Sequence, residues 1–303
     1  MSIVVNEVVK SYGQQQALKG VSFSISSGEI VGFLGPNGAG KSTMMKIITG
    51  LLPQSSGEVR VCDINSSDYN ESFRRKIGYL PEHNPLYLDM YVREYLLMVA
   101  QLYSLSDRRD RVSDMVKMIG LSAEQNKKIG ALSKGYRQRV GLAQSLIHDP
   151  EVLILDEPTT GLDPNQILEI RELIKTVGQH KTVMLSTHIM QEVEAICERV
   201  MILNRGELVL DHPSTDLSLL RASNDLVTVE LEFSAPADIA SLQGIDGVVK
   251  VEQSDVATYQ VQAKGDVRRQ LFDYAVQNKL YILAMNRSEH NLEHLFHDLT
   301  RES

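Results

Sequence analysis

The amino-acid sequence predicts an α/β sheet domain with a helical insertion, followed by a smaller α+β domain. Three observations carry that prediction. Short apolar runs that stop at glycine or at acids, such as Ile30 to Leu34 and Val152 to Leu155, read as buried strands alternating with amphipathic helices. From about Tyr91 to Ile147 the apolar residues fall at helical spacing with few strand signals. After a polar stretch punctuated by Pro213, the strand and helix patterns start again.

In chain order, Val4 to Val9 and Val21 to Ile25 are expected strands joined by a polar turn around Ser11 to Gln16. Ile30 to Leu34 is a strand ending at a glycine-rich loop, and Ser42 to Thr49 is a helix closed by Gly50. Gly57 to Val61 and Ile77 to Leu80 are short strands. Tyr91 to Leu105 and Arg108 to Ile119 are helices of the insertion, which occupies about residues 84–148. Val152 to Leu155 returns to strand, Asn165 to Val177 to helix, Thr182 to Ser186 to strand and Gln191 to Arg199 to helix. Val200 to Leu203 and Glu207 to Leu210 form a hairpin around Asn204-Arg205-Gly206. These elements make one sheet covered by helices on both faces, over residues 1–212. Residues 213–224 are read as a linker. The second domain, 225–303, has strands at Leu226 to Phe233, Val248 to Glu252, Tyr259 to Ala263 and Tyr281 to Met285. Its helices are Ala237 to Leu242, Asp266 to Asn278 and a closing Asn291 to Thr300. That βαββαβ order points to a ferredoxin-like domain.

Composition bounds the function. The 303 residues carry 43% apolar and 23% charged side chains, a globular balance. The formal net charge is −8 and no basic stripe appears, only short clusters such as Arg74-Arg75-Lys76 and Arg108-Arg109, so nucleic acid is not an expected partner. Cys62 and Cys197 have no metal-ligand spacing and read as idle thiols in a reducing compartment. Met1 to Tyr12 lacks the pattern of a secretion signal, and no stretch approaches the roughly 18 apolar residues of a membrane span. A cytoplasmic chain is expected, with any membrane role coming through a partner.

The run Gly35-Pro36-Asn37-Gly38-Ala39-Gly40-Lys41-Ser42, followed by Thr43, fits G-x-x-x-x-G-K-[ST] between a strand and a helix. Successive backbone N–H groups turned inward can hold polyphosphate oxygens, which requires residues free of Cβ clashes. Lys41 supplies a point charge to the phosphates, and the Ser42 hydroxyl can ligate Mg²⁺. Asp156 and Glu157 stand at the end of an apolar strand, where α/β sheets place ligands. An isolated Asp-Glu pair is more often a loop or a helix cap. With an intact phosphate loop upstream, Asp156 becomes a Mg²⁺ partner through water and Glu157 the group that polarises the attacking water. His188 follows another strand and is placed to reach the γ-phosphate. Ser133 is a natural N-cap, and Gly135 allows close backbone approach to an anion at a helix N-terminus, although in isolation a plain capped helix is the better explanation of both.

These motifs, in this order, resemble those of ABC-type nucleotide-binding subunits over roughly residues 1 to 210. The resemblance makes Gly35 to Thr43 the Walker A loop and Val152 to Glu157 Walker B. Leu132 to Tyr136 becomes an LSGGQ-type signature, Gly161-Leu162-Asp163 the D-loop and His188 the switch histidine. It implies an ABC-type P-loop NTPase core that binds ATP and Mg²⁺, with Tyr12 stacking on adenine. It further implies a head-to-tail pair of chains in which Ser133 and Gly135 of one copy close on the nucleotide of the other, and a separate transmembrane permease at the inner face of the cell membrane. Two places depart from the family. Glu82 stands where the Q-loop glutamine, which touches Mg²⁺, is usual, and Lys134 and Tyr136 replace the usual Gly and Gln of the signature. These departures are similar to those of ABC-2-type exporter ATPases, among them the ATP-binding subunit associated with gliding motility in Bacteroidetes. The alternative expectation is a soluble ABC-type ATPase acting on ribosomes or DNA.

Overall fold

Alternating buried and exposed residues run through two long opening strands, β1 (Ile3–Tyr12) and β2 (Gln15–Ile25), which pair antiparallel. Both are longer than the apolar pattern predicts, and the turn between them shrinks to Gly13 and Gln14. Hydrogen bonding across the hairpin carries polar residues such as Ser11 and Gln16 into the ladder. The next strand, β3 (Ile30–Leu34), is buried at every position and belongs to a different sheet. It leads through the glycine-rich loop into α1 (Lys41–Ile48). The chain then returns to β1 with β4 (Ser56–Val61) and the two-residue β5 (Ile64–Asn65), giving an antiparallel sheet of order β2-β1-β4-β5.

Helix α2 (Glu71–Lys76) is capped by the Asn70 side chain, which accepts from the Phe73 N–H at 2.9 Å, and its last turn carries the basic cluster Arg74-Arg75-Lys76. After β6 (Ile77–Leu80) come α3 (Val92–Leu102), α4 (Arg108–Met118) and α5 (Lys134–Leu146), the three helices of the insertion. Then follow β7 (Val152–Asp156), α6 (Pro164–Gly178), β8 (Thr182–Ser186), α7 (Met190–Ile196), β9 (Arg199–Asn204) and β10 (Glu207–Pro213). The second sheet has the order β10-β9-β3-β8-β7-β6, with every pair parallel except the β9–β10 edge.

The expectation of one sheet with helices on both faces is therefore corrected. One face of the parallel sheet packs, together with α1, against the antiparallel sheet. Val31 and Phe33 join Ile3, Leu18, Phe23 and Met44 in a single core cluster, with the Phe23 and Phe33 rings 5.9 Å apart. On the other face Gly32 leaves room for Val193 of α7 and for Cys197, and Gly178 of α6 lies against Ile30. The strand runs alone do not say which sheet each strand joins.

The insertion is pinned to the sheet by backbone contact. A Cβ on Gly78 of β6 would collide with the Ser145 carbonyl of α5, so only glycine lets helix and strand approach this closely. His148 Nε2 donates to the Ile77 carbonyl at 3.0 Å, and its ring stacks on Tyr103 at a centroid distance of 3.9 Å. Arg111 of α4 donates to the carbonyls of Ile147 and Leu146.

The structure describes residues 1–68, 70–214 and 226–288, together with Phe296 and Thr300, and these divide into two units, one of residues up to 214 with Thr300 and the other of residues 226–288 with Phe296. The second contains β11 (Leu226–Phe233), α8 (Ile239–Gln243), β12 (Val248–Asp255), β13 (Thr258–Lys264), α9 (Arg268–Gln277) and β14 (Ile282–Ser288). Its sheet is antiparallel, in the order β12-β13-β11-β14, over a core that includes Leu231, Phe233, Leu242, Tyr259 and Leu271. The element order is the βαββαβ read from the pattern. Pro213, taken as the start of the linker, is the last residue of β10; residues 215–224 of that linker, and all but Phe296 and Thr300 of the expected closing helix, lie outside the described residues.

Phe33 fills the junction of the two sheets with no exposed surface. Phe33→Ala is expected to destabilise the first unit by about 3–5 kcal/mol, read as a lower urea midpoint. His148 gives a pH-dependent test. Burial, aided by the charges of Lys181, Arg75 and Arg111 and opposed by the bond to Ile77, pushes its pKa down to about 4. An unfolded imidazole titrates near ~6.5. Between those values the unfolded chain binds a proton that the folded chain does not, so stability is lost as pH falls. The loss totals about 3 kcal/mol, with no contribution above about pH 7. In His148→Gln the urea midpoint should fall less steeply over that window; equal slopes would remove the assignment.

Candidate active site

The glycine-rich loop is held in a crowded corner that side chains could not enter. At Gly40 φ is 111°, and a Cβ there would stand 2.7 Å from the Ala17 carbonyl of β2. At Gly35 an added Cβ would collide with the Leu203 carbonyl of β9, and the Gly206 N–H closes the same corner by donating to the Ala39 carbonyl at 3.0 Å. The loop is thus braced by β2 on one side and the β9–β10 hairpin on the other. Helix α1 begins at Gly40 with no side-chain cap and no acid in its first turn, so its positive end is open to an anion. Lys41 folds back along the loop, donating to the Gly35 carbonyl at 2.6 Å and the Pro36 carbonyl at 3.3 Å. Burial lowers its pKa, while the Glu157, Asp156 and Glu82 carboxylates act in the opposite direction.

The two acids are arranged by strand register. Asp156 ends β7 directly opposite Ser186, the last residue of β8, and is 2% exposed. The Ser186 hydroxyl donates to Asp156 Oδ1 at 2.6 Å and accepts the Glu157 N–H at 3.0 Å. Glu157 adopts φ 51°, a left-handed conformation that turns it out of the strand direction, and such strain is concentrated at functional sites. Its Oε2 accepts from the Thr160 hydroxyl at 3.0 Å and meets His188 Nδ1 at 2.8 Å. Glu157 and His188, which come from different loops, are thereby one hydrogen-bonded pair.

A cleft of about 630 Å³ opens over this group. Of the residues singled out from the sequence, Tyr12, Asn37, Gly38, Gly40, Lys41, Ser42, Thr43, Glu82, Glu157 and His188 line it. Tyr12 ends β1 half exposed, with Lys10 Nζ 5.2 Å above its ring. Gly35, Pro36 and Ala39 complete the loop without lining the cleft, and Asp156 lies behind it. Sequence reasoning missed Gln15, Ala17 and Thr160, which also line the cleft, and Ser186, which orders the acids. Thr160 was findable, since it follows the acidic pair by three positions; Ser186 needed the β7–β8 register.

Ser133, Gly135 and Asp163 are not in this cleft. Ser133 caps α5, accepting the Tyr136 N–H at 3.4 Å, and Asp163 caps α6, accepting the Gln166 N–H at 2.9 Å. The two caps are packed together. The Gln166 side chain covers the space a Cβ on Gly135 would need, and Lys134 lies across Gly161. Within one chain the carboxylate of Asp163, expected in the D-loop, is engaged as a helix cap.

No group of three or more His, Cys, Asp or Glu residues able to hold a metal occurs among the described residues. The cleft offers instead the Ser42 hydroxyl, the Glu82 carboxylate and, behind it, Asp156. These are hard oxygen donors in the small number that suits Mg²⁺ shared with a polyphosphate.

Residues 18–160 match the family model of the ABC transporter. The chain is 31% identical to the linearmycin resistance ATP-binding protein LnrL of Bacillus subtilis (strain 168), over 97% of this chain and 96% of that protein. It is also 31% identical to the bacitracin transport ATP-binding protein BcrA of Bacillus licheniformis, over 97% and 95%. Among solved structures, the ATP-binding cassette MJ0796, a dimer in a post-hydrolysis state bound to ADP and Pi, superposes with a TM-score of 0.65. The match has 31% identity and covers 70% of this chain and 98% of that one. With the phosphate loop, the acidic strand end and the parallel sheet in place, the chain belongs to the ATP-binding subunits of ABC transporters, and it binds and hydrolyses ATP on a P-loop NTPase core.

Proposed function

We propose that this chain powers an exporter, working as a head-to-tail pair beneath a separate membrane permease. The observation that carries the reading is the separation of two anion-facing surfaces on one unit: the phosphate-loop cleft, and the capped α5 start where Ser133 and Gly135 pack beside Asp163. Neither surface alone encloses a nucleotide, and a second copy would bring its α5 start onto the first copy's cleft. LnrL and BcrA, both matched along nearly their whole length, favour export. They lend no support to an assignment to gliding motility.

In this reading Tyr12 stacks on adenine, and the loop N–H groups with Lys41 and α1 hold the phosphates. Ser42, Asp156 and Glu82 hold Mg²⁺, which when bound neutralises phosphate charge. Glu157 takes a proton from the attacking water, and His188, on the same carboxylate oxygen, orients Glu157 and contacts the γ-phosphate. Thr160 keeps that oxygen hydrogen-bonded while it waits. Asp163 communicates between the copies through the α6 start. A groove of about 400 Å³ between β6 and the insertion, lined by Tyr79, Pro85, Met98, Leu102 and Tyr103 among others, takes its lining from both sides of Glu82 in the chain and offers a seat for the permease. Among the described residues no helix is long and apolar enough to cross a membrane. We place the chain at the inner face of the cell membrane through that permease.

The test is Glu157→Gln, which keeps shape and removes the base. Turnover should fall by roughly 10²–10⁴-fold with ATP binding retained, and ATP should trap a dimer on size exclusion. Wild-type turnover would remove the role given to Glu157. A second expectation concerns Glu82, an exposed carboxylate facing the phosphates. Glu82→Gln should tighten ATP binding by about 2- to 5-fold at low salt, a gain that fades at high salt because exposed charges are screened. Salt-independent titration curves would contradict that.

A further inference from the structure

Glu192, in the first turn of α7, has no exposed surface, yet it carries a carboxylate. A buried carboxylate is costly unless its oxygens are satisfied, and a packed apolar side chain would hold α7 on the sheet as well. Its oxygens are used separately. Oε1 accepts from the Thr159 hydroxyl at 2.5 Å, and Oε2 accepts from the Thr187 hydroxyl at 2.8 Å. The Thr187 oxygen in turn accepts the Ile189 N–H at 3.1 Å, which leaves its own proton for Glu192. Both threonines are buried. Arg171 Nη2 of α6 stands 3.8 Å from Oε1 and offsets the charge.

The two hydroxyls belong to two different loops. Thr159 lies two residues after Glu157 on the loop leaving β7, and Thr187 immediately precedes His188 on the loop leaving β8. Glu157 and His188 are the pair whose 2.8 Å contact forms in the cleft. His188 is largely exposed, so solvent-side packing does little to hold it. The support comes from behind, through the residue next to it. We propose that Glu192 is a positioning residue: its carboxylate bridges the two loops and holds Glu157 and His188 in register for hydrolysis. The inference rests on the roles given above to those two residues.

Three variants of the full chain test the bridge. Glu192→Gln keeps size and one acceptor, whereas Thr159→Val and Thr187→Val each remove one of the two hydroxyls without removing bulk. ATP turnover and the Kd of a fluorescent ATP analogue are measured for each. The expected result is a fall in kcat of roughly 10- to 100-fold in the valine variants, with Kd and KM within about two-fold of wild type. Thr187→Ser, which restores the hydroxyl, should recover most of the kcat lost in Thr187→Val. In a His188→Ala background, followed by single-turnover measurement, Thr187→Val should add little, because the contact it protects is already gone. Unchanged kcat, a Kd that rises in step with the loss of kcat, no rescue by serine, or full multiplication with His188→Ala would each overturn the proposal. Glu157→Gln run in parallel separates the two readings. Full turnover there removes the site reading itself, whereas an inactive Glu157→Gln beside an unaffected bridge series removes only the role of Glu192.

Discussion

Asp156 and Ser186 face one another at the ends of two parallel strands, and the chemistry of the cleft hangs from that register. The serine hydroxyl donates to the aspartate and accepts the backbone N–H of Glu157, so one oxygen orders both acids. A one-residue slip between β7 and β8 would turn Ser186 to the other face of the sheet and leave the buried Asp156 carboxylate without that donor. The left-handed φ of Glu157 is sustained by the same bond and is what swings its side chain onto His188. Strain of that kind persists only where surrounding structure over-determines it. Here the surroundings are two strands buried at every position.

The phosphate loop obeys a related constraint from the opposite side of β3. It is threaded between the Ala17 carbonyl of β2 and the Leu203 carbonyl of β9, distances at which no Cβ fits at Gly40 or Gly35. The antiparallel sheet therefore does more than cover one face of the parallel sheet. It supplies the wall against which the loop is shaped, and Tyr12, at the end of β1, extends that wall over the mouth of the cleft. Core packing through Phe23 and Phe33 and the geometry of the nucleotide cradle are consequences of one sheet-on-sheet contact.

Much of this was legible in the amino-acid sequence. The strands at residues 30–34 and 182–186 have the predicted bounds, because a fully buried strand is a continuous apolar run with sharp ends. The phosphate loop and the acid pair were legible because their chemistry demands specific residue types at fixed spacing. The hairpin strands were read too short, since cross-strand hydrogen bonds recruit residues whose side chains carry no apolar signal. Helix α2 was read only as a basic surface cluster, since a single buried residue, Phe73, holds it.

By itself the sequence determined which residues can hold phosphate, which acids can serve a metal and a water, and that α5 begins with a cap. Those properties reside in short contiguous segments. Tertiary structure alone decided that Glu157 and His188 share a hydrogen bond, that Ser186 orders both acids, that Ser133 and Gly135 stand apart from the cleft, and that Glu192 joins two loops from beneath. Each of those facts depends on which strand lies beside which, and in a parallel sheet neighbouring strands are separated in sequence by a whole crossover, so no local pattern records them.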